Sequence, residues 1–260
     1  MNIQVNGVSL DYQLGGRGRL IALGHSLGMN GDIFNPLRPV LERYGQLLTW
    51  DARGHGRSQR PATKWTIEDL AADLRGLIER IGGDRAVICG LSMGGNTALA
   101  YAVAHPDKLD ALILADTTAW YGEGAPAAWE QRAQNAEKNG MAPIVPFSLP
   151  RWFSDSYIQT NPDKAKKAGE VLLANDVSSY AAACRALGLF DARSGLARIQ
   201  CPTLILVGSE DPATPPAMAE DLHKNIRNSE LHVLDGLRHM TPVEAPDRVG
   251  SVIAEFLEKL

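Results

Sequence analysis

Short apolar runs closed by glycine-containing turns recur along the chain, and between them apolar residues return every three or four positions. Ile3 to Val5 and Val8 to Tyr12 flank Asn6-Gly7, the pairing expected of an antiparallel hairpin with a two-residue turn. Leu20 to Leu23 is apolar on both parities, as a strand covered on both faces requires. Further strands are predicted at Gln46 to Trp50, in the run after Arg85, at Ala111 to Ala115, at Thr203 to Val207 and at Glu230 to Leu234. Helices are predicted around Asn35 to Tyr44, and after Thr66-Ile-Glu-Asp69, a capping-box start followed by Leu70, Leu74, Leu77, Ile78 and Ile81 at helical spacing. Another follows Ser92 and stops at His105-Pro106, and a closing one spans Val249 to Leu260. Strands alternating with helices imply right-handed crossovers, hence an α/β fold: a mostly parallel central sheet with helices on both faces. From about Thr117 to Ala197 the alternation stops, and helical patterns continue without a convincing strand. The expected organisation is therefore one discontinuous core, 1–117 and 197–260, with a helical cap inserted at 118–196.

Composition narrows the partners. The chain has 260 residues, 45% of them hydrophobic, enough for a substantial core, and a formal net charge of -4 without a long basic run. That balance argues against nucleic acid or an anionic membrane as the main partner and favours a small molecule. The opening Met-Asn-Ile-Gln-Val-Asn-Gly lacks a basic start followed by an apolar core, and no run approaches the roughly 20 apolar residues of a membrane span, so a cytoplasmic protein is expected. Cys89, Cys184 and Cys201 are odd in number and lack metal-ligand spacing, as expected of reduced, mostly buried thiols. The pattern carries no signal for oligomeric state.

Chemistry enters at Gly90-Leu-Ser92-Met-Gly94, where an apolar run meets a tight turn that opens into helix-forming residues. Glycines two before and two after the serine remove side chains that would collide as strand and helix converge. The hydroxyl is left exposed above the sheet edge, and the Met93 amide sits in the first helical turn, where N–H groups lack internal partners and attract negative charge. This resembles the nucleophile elbow of the α/β-hydrolase fold, which implies a serine, acid, histidine order along the chain. Asp211 follows the strand Thr203 to Val207, and His239 follows the last strand, so Ser92, Asp211 and His239 fall in that order on three strand-end loops. Glu210 and Asp116 are alternative acids, with Asp211 preferred. The other five histidines are expected to be structural or superficial. The fold resemblance places a second oxyanion donor in His25-Ser-Leu-Gly28, at the amide of Leu27, with Ser26 where relatives carry glycine.

A narrower resemblance spans nearly the whole chain. His25-Ser-Leu-Gly28, Asp51-Ala-Arg-Gly-His-Gly56, Gly90-Leu-Ser-Met-Gly-Gly95, Ala115-Asp-Thr-Thr-Ala-Trp120 and Gly208-Ser-Glu-Asp-Pro-Ala-Thr-Pro215 are similar to the 3-oxoadipate enol-lactonases of aromatic-acid catabolism. The resemblance implies cofactor-free hydrolysis of a small anionic enol-lactone. Esterases and cofactor-free haloperoxidases or perhydrolases of the same fold use the same three residues, and receptors of this fold retain them too. Ser92 in place of an aspartate argues against haloalkane dehalogenase and epoxide hydrolase chemistry. The expected cap lining is Trp120, Trp129, Trp152 and Phe153, and the expected carboxylate partners are Arg132 and Arg185, since a planar guanidinium donates two parallel hydrogen bonds.

Overall fold

The computed structural model describes residues 1–62 and 64–260. Its frame is an eight-stranded sheet, β1 Asn2–Val5, β2 Val8–Gly15, β3 Leu20–Gly24, β4 Gln46–Trp50, β5 Ala86–Leu91, β6 Leu109–Ala115, β7 Thr203–Gly208 and β8 Ser229–Leu234, in the order β1-β2-β4-β3-β5-β6-β7-β8. The hairpin β1–β2 and the β2–β4 pair are antiparallel, and every other pairing is parallel. Asn6 and Gly7 both have positive φ, 46° and 79°, which is what a two-residue type I′ turn demands. Strands β3, β5 and β7 are buried at every position, because helices cover both faces of the sheet.

Helices α1 Arg38–Leu41, α2 Ile67–Arg80 and α3 Met93–Ala104 connect the first six strands. The expected helix around Asn35 to Tyr44 is replaced by a 3₁₀ segment, Gly31–Leu37, followed by the single turn of α1. Pro36 and Pro39 lack the N–H groups a continuous α-helix needs there. By contrast α2 starts as predicted: the Thr66 hydroxyl accepts from the Asp69 amide at 3.3 Å, and the Asp69 carboxylate accepts from the Thr66 amide at 2.8 Å. Leu70, Leu74, Leu77 and Ile78 are buried against the sheet, and Ile81 is partly buried beside them.

Between β6 and β7 lie five helices, α4 Ala125–Asn139, α5 Ile144–Trp152, α6 Asp155–Thr160, α7 Pro162–Leu173 and α8 Val177–Leu189. The one strand-like pairing in this stretch is an isolated bridge between Trp120 and Asp191. The end of α5 is fastened to the loop after β8: the Met240 amide donates to Trp152 O at 3.0 Å, and Arg238 Nη1 donates to Pro150 O at 2.7 Å and Phe153 O at 3.0 Å.

The remaining helices are α9 Pro216–Asn225, α10 Thr241–Glu244 and α11 Pro246–Leu257. The apolar pattern does not announce α9, because it buries only Ala219 and Leu222. The closing helix begins at Pro246, three residues before Val249, and ends before Leu260. Among the described residues no helix is long and apolar enough to cross a membrane.

Candidate active site

The turn between β5 and α3 forces Ser92 to φ 54° and ψ -115°, a conformation that a side-chain-bearing residue adopts only under constraint. The constraint is sheet and helix together: the Ser92 amide donates to Ala115 O on β6 at 2.9 Å, and its carbonyl accepts from the Asn96 amide at 2.9 Å and the Thr117 hydroxyl at 2.9 Å. A Cβ at Gly90 would strike the Gly94 backbone, and one at Gly94 would strike the Gly24 backbone on β3. The turn therefore closes only with glycine at both positions, and its strain holds the Ser92 hydroxyl outward.

His239, on the loop after β8, places Nε2 2.9 Å from Ser92 Oγ and Nδ1 2.7 Å from Asp211 Oδ2. All three side chains are buried or nearly so. Asp211 Oδ1 accepts from the amides of Ala213 at 2.7 Å and Thr214 at 3.0 Å, while Oδ2 also accepts from the Thr214 hydroxyl at 2.8 Å. Burial pushes the Asp211 carboxyl upward, but His239 and the Thr214 donors outweigh it and hold the group below the usual carboxylate range. An ionised Asp211 fixes the proton of a neutral His239 on Nδ1 and leaves Nε2 free to accept from Ser92.

Neither alternative acid reaches the imidazole. Asp116, at φ 46°, accepts from the Gly208 amide at 3.1 Å and from the Thr241 amide and hydroxyl at 3.0 and 2.7 Å. Its carboxyl is raised well above its ordinary range, first by complete burial and then by the negative charge of Asp211. Glu210 is exposed and faces Arg238, 3.9 Å away.

On the opposite side of Ser92, the Met29 amide donates to Ser26 O at 3.1 Å and Gly28 takes φ 75°, making a tight turn through Leu27. Among the described residues, neither the Leu27 nor the Met93 amide donates to a protein acceptor. The Ser26 hydroxyl turns to the Met240 sulfur at 3.4 Å. His25 braces this turn: its Nδ1 bonds Ser26 O at 2.8 Å and its Nε2 accepts from the Ala52 amide at 2.9 Å, which specifies the Nδ1–H tautomer. Burial lowers its pKa to about 4, and burial with the adjoining His25 ring lowers that of His55 to about 3, so both are neutral at pH 7. The structural role expected of these two histidines is the one the geometry supports.

A pocket partly open to solvent lies over Ser92 and His239. Trp129, Arg132 and Trp152 line it, as do Tyr121, Ser148 and Arg151, three residues that belong to no motif in the sequence. Ser148 and Arg151 lie within one turn of Trp152 on α5, and that helical spacing was the available signal. A wider vestibule outside shares Tyr121, Trp129, Arg132 and Arg151 with the pocket. Three of the residues expected at the pocket lie elsewhere. The Trp120 ring is covered by the Arg193 guanidinium at 3.6 Å, and Arg185 is held by Glu130 and Glu137, each at 2.7 Å, between α4 and α8. Phe153 is fully buried and stacks on Tyr157 rather than facing the pocket.

The family model described as serine aminopeptidase, S33 matches residues 18–246. The chain belongs to the α/β-hydrolase family. The chain is 31% identical over 97% of its length to 3-oxoadipate enol-lactonase 2 of Acinetobacter baylyi, covering 94% of that protein. It superposes on the enol-lactonase of Burkholderia xenovorans LB400 with a TM-score of 0.95 at 32% identity, covering 99% of this chain and 100% of that one. A thermophilic esterase from Thermogutta terrifontis, solved with malate bound, gives a TM-score of 0.93 at 30% identity over 99% and 96% of the two chains. The eight-stranded, mostly parallel sheet flanked by helices is thus the α/β-hydrolase fold.

Proposed function

We propose that the protein is a serine hydrolase that opens a small lactone or cleaves a carboxylic ester through an acyl-enzyme, with a carboxylate-bearing enol-lactone as the substrate type that fits best. The observation that carries this reading is the hydrogen-bonded chain Asp211–His239–Ser92, ending in a pocket that holds Arg132. In this reading His239 Nε2 takes the Ser92 proton, Ser92 Oγ attacks the substrate carbonyl, and the Leu27 and Met93 amides stabilise the tetrahedral oxyanion. Collapse expels the alkoxide or enolate, which His239 protonates; a leaving enol then tautomerises to a ketone and makes ring opening effectively irreversible. Water, deprotonated by His239, attacks the acyl-enzyme and frees Ser92. Asp211 keeps the imidazole oriented and stabilises the imidazolium formed in each half-reaction.

Arg132 supports an anionic substrate. Its Nε donates to the Tyr180 hydroxyl at 2.7 Å, and its guanidinium carbon lies 5.2 Å from the Trp129 ring centroid, so the group is braced while its remaining N–H groups stay available. The similarity to two enol-lactonases, and to an esterase solved with a dicarboxylate, points the same way. The test is to assay the pure protein on 3-oxoadipate enol-lactone, a neutral lactone of similar size and p-nitrophenyl acetate. The reading predicts the highest kcat/KM on the anionic lactone, with Arg132→Gln lowering that value about tenfold to a hundredfold and sparing the neutral substrates. Equal turnover of all three would make the protein a general esterase, and no turnover of any would favour a ligand receptor on a hydrolase fold.

A further inference from the structure

Helix α5 carries Ser148 and Arg151 one turn apart, and both line the inner pocket beside Ser92 and His239. The Ser148 hydroxyl is 1% exposed and has no hydrogen-bond partner among the described residues. A buried donor of this kind is unfavourable unless something else completes it, and the pocket is where a ligand does so. Arg151 spends one N–H on Pro212 O at 3.0 Å.

Arg151 also stands close to a second cation. The guanidinium carbons of Arg151 and Arg132 lie 5.2 and 5.3 Å from the centroid of the same Phe147 ring. Among the described residues no carboxylate oxygen comes within 4.0 Å of either group, whereas Arg185 nearby in sequence to neither is saturated by Glu130 and Glu137. Burial, reinforced by Arg132, lowers the pKa of Arg151, while the opposing pull of Asp211 is the weakest of the three. Asp211 itself is committed to His239, Ala213 and Thr214. Two guanidiniums packed on one Phe147 ring and a buried hydroxyl thus line one cavity, and among the described residues neither cation has a carboxylate partner.

Resting on hydrolysis at Ser92, we propose that Ser148 and Arg151 form a second carboxylate subsite beside Arg132, so that the site takes acyl groups already bearing one carboxylate and holds the dicarboxylate product at both ends. The charge count follows from the reaction. When the acyl C–O bond breaks, water supplies the hydroxyl to the acyl carbon and a proton to the leaving oxygen; the new acid then ionises and releases one proton to solvent. An acyl group that entered with one negative charge leaves with two, and two guanidiniums match the product.

The test is inhibition of p-nitrophenyl acetate hydrolysis by adipate and by hexanoate, at constant ionic strength. Adipate is expected to compete with an inhibition constant about tenfold or more below that of hexanoate. Arg151→Gln and Ser148→Ala should bring the ratio toward one, and Arg151→Lys should restore part of it. Calorimetric titration of adipate into Ser92→Ala should still register binding, because the subsite does not use that hydroxyl. Equal inhibition by the two acids, or an unchanged ratio in an Arg151→Gln protein that melts at the wild-type temperature, overturns the proposal. Should the ester not be turned over at all, the hydrolytic reading fails separately, and calorimetry of the two acids on the wild-type protein still decides the subsite: tighter adipate supports it, equal affinity overturns it.

Discussion

Asp116 accepts from the amide and the hydroxyl of Thr241 at 3.0 and 2.7 Å, so it grips the loop two residues beyond His239 while Asp211 holds the imidazole itself. The same carboxylate accepts from the Gly208 amide, at the end of the strand that leads to Asp211. One buried acid therefore ties together the two loops that supply His239 and Asp211, and the other orients the ring.

The two acids should fail differently when changed to the isosteric amide. Asp211→Asn presents the amide to His239 Nδ1 and favours the wrong tautomer, so kcat should fall by roughly 10³–10⁴ with little change in melting temperature. Asp116→Asn turns an NH₂ toward either the Gly208 or the Thr241 donors, and should cost about 1–3 kcal/mol of stability with a smaller fall in kcat. Steady-state kinetics and denaturant titration of the two variants separate these outcomes. A larger kcat loss in Asp116→Asn would move the acid to Asp116.

Gly28 gives a second prediction, about the oxyanion loop. Its φ of 75° is strained for any L side chain, and an added Cβ would meet Leu172 Cδ1 at 2.5 Å. Gly28→Ala should shift the Leu27 amide and lower kcat roughly tenfold to a hundredfold, with KM little changed, because the donor acts on the developing oxyanion. An unaltered kcat would remove Leu27 from that role.

The buried pair His25 and His55 sets an acid limit on stability. Both pKa values are depressed, from 6.5 to about 4 and about 3, so below pH 6.5 the unfolded chain takes up protons that the folded chain refuses. Their contribution is present in full above 6.5 and is lost as pH falls toward 4 and then 3, on the order of 3 kcal/mol for His25 and on the order of 5 kcal/mol for His55. NMR should find both rings neutral at pH 5, with His25 as the Nδ1–H tautomer. Titration of either ring near 6.5 would contradict the burial account.

The core of the site was readable because local rules dictate it. Gly90 and Gly94 are required wherever a strand turns into a helix across a serine, and Asp211 and His239 are marked by following the last two strands of a parallel sheet. What spacing does not encode is which charges find partners across helices distant in sequence. Nothing in the sequence near Arg185 shows that α4 brings Glu130 and Glu137 to it, and Arg151 lines the pocket only through the way α5 lies over the His239 loop. Trp120 lies outside the pocket for a similar reason, since Asp191 pairs with its backbone and Arg193 covers its ring. Asp116 and Asp211 both follow parallel strands, and what separates their roles is that His239 reaches Asp211 while Gly208 and Thr241 occupy Asp116.

The central claim is that Ser92 Oγ forms a covalent acyl-enzyme with His239 as its base, and the most direct measurement is active-site labelling with a fluorophosphonate followed by peptide mass spectrometry. The account predicts one adduct per chain, on Ser92, loss of hydrolysis in proportion to labelling, and neither labelling nor turnover in a Ser92→Ala protein that keeps its fold. Stoichiometric labelling at another residue, or near-normal turnover by Ser92→Ala, would contradict it.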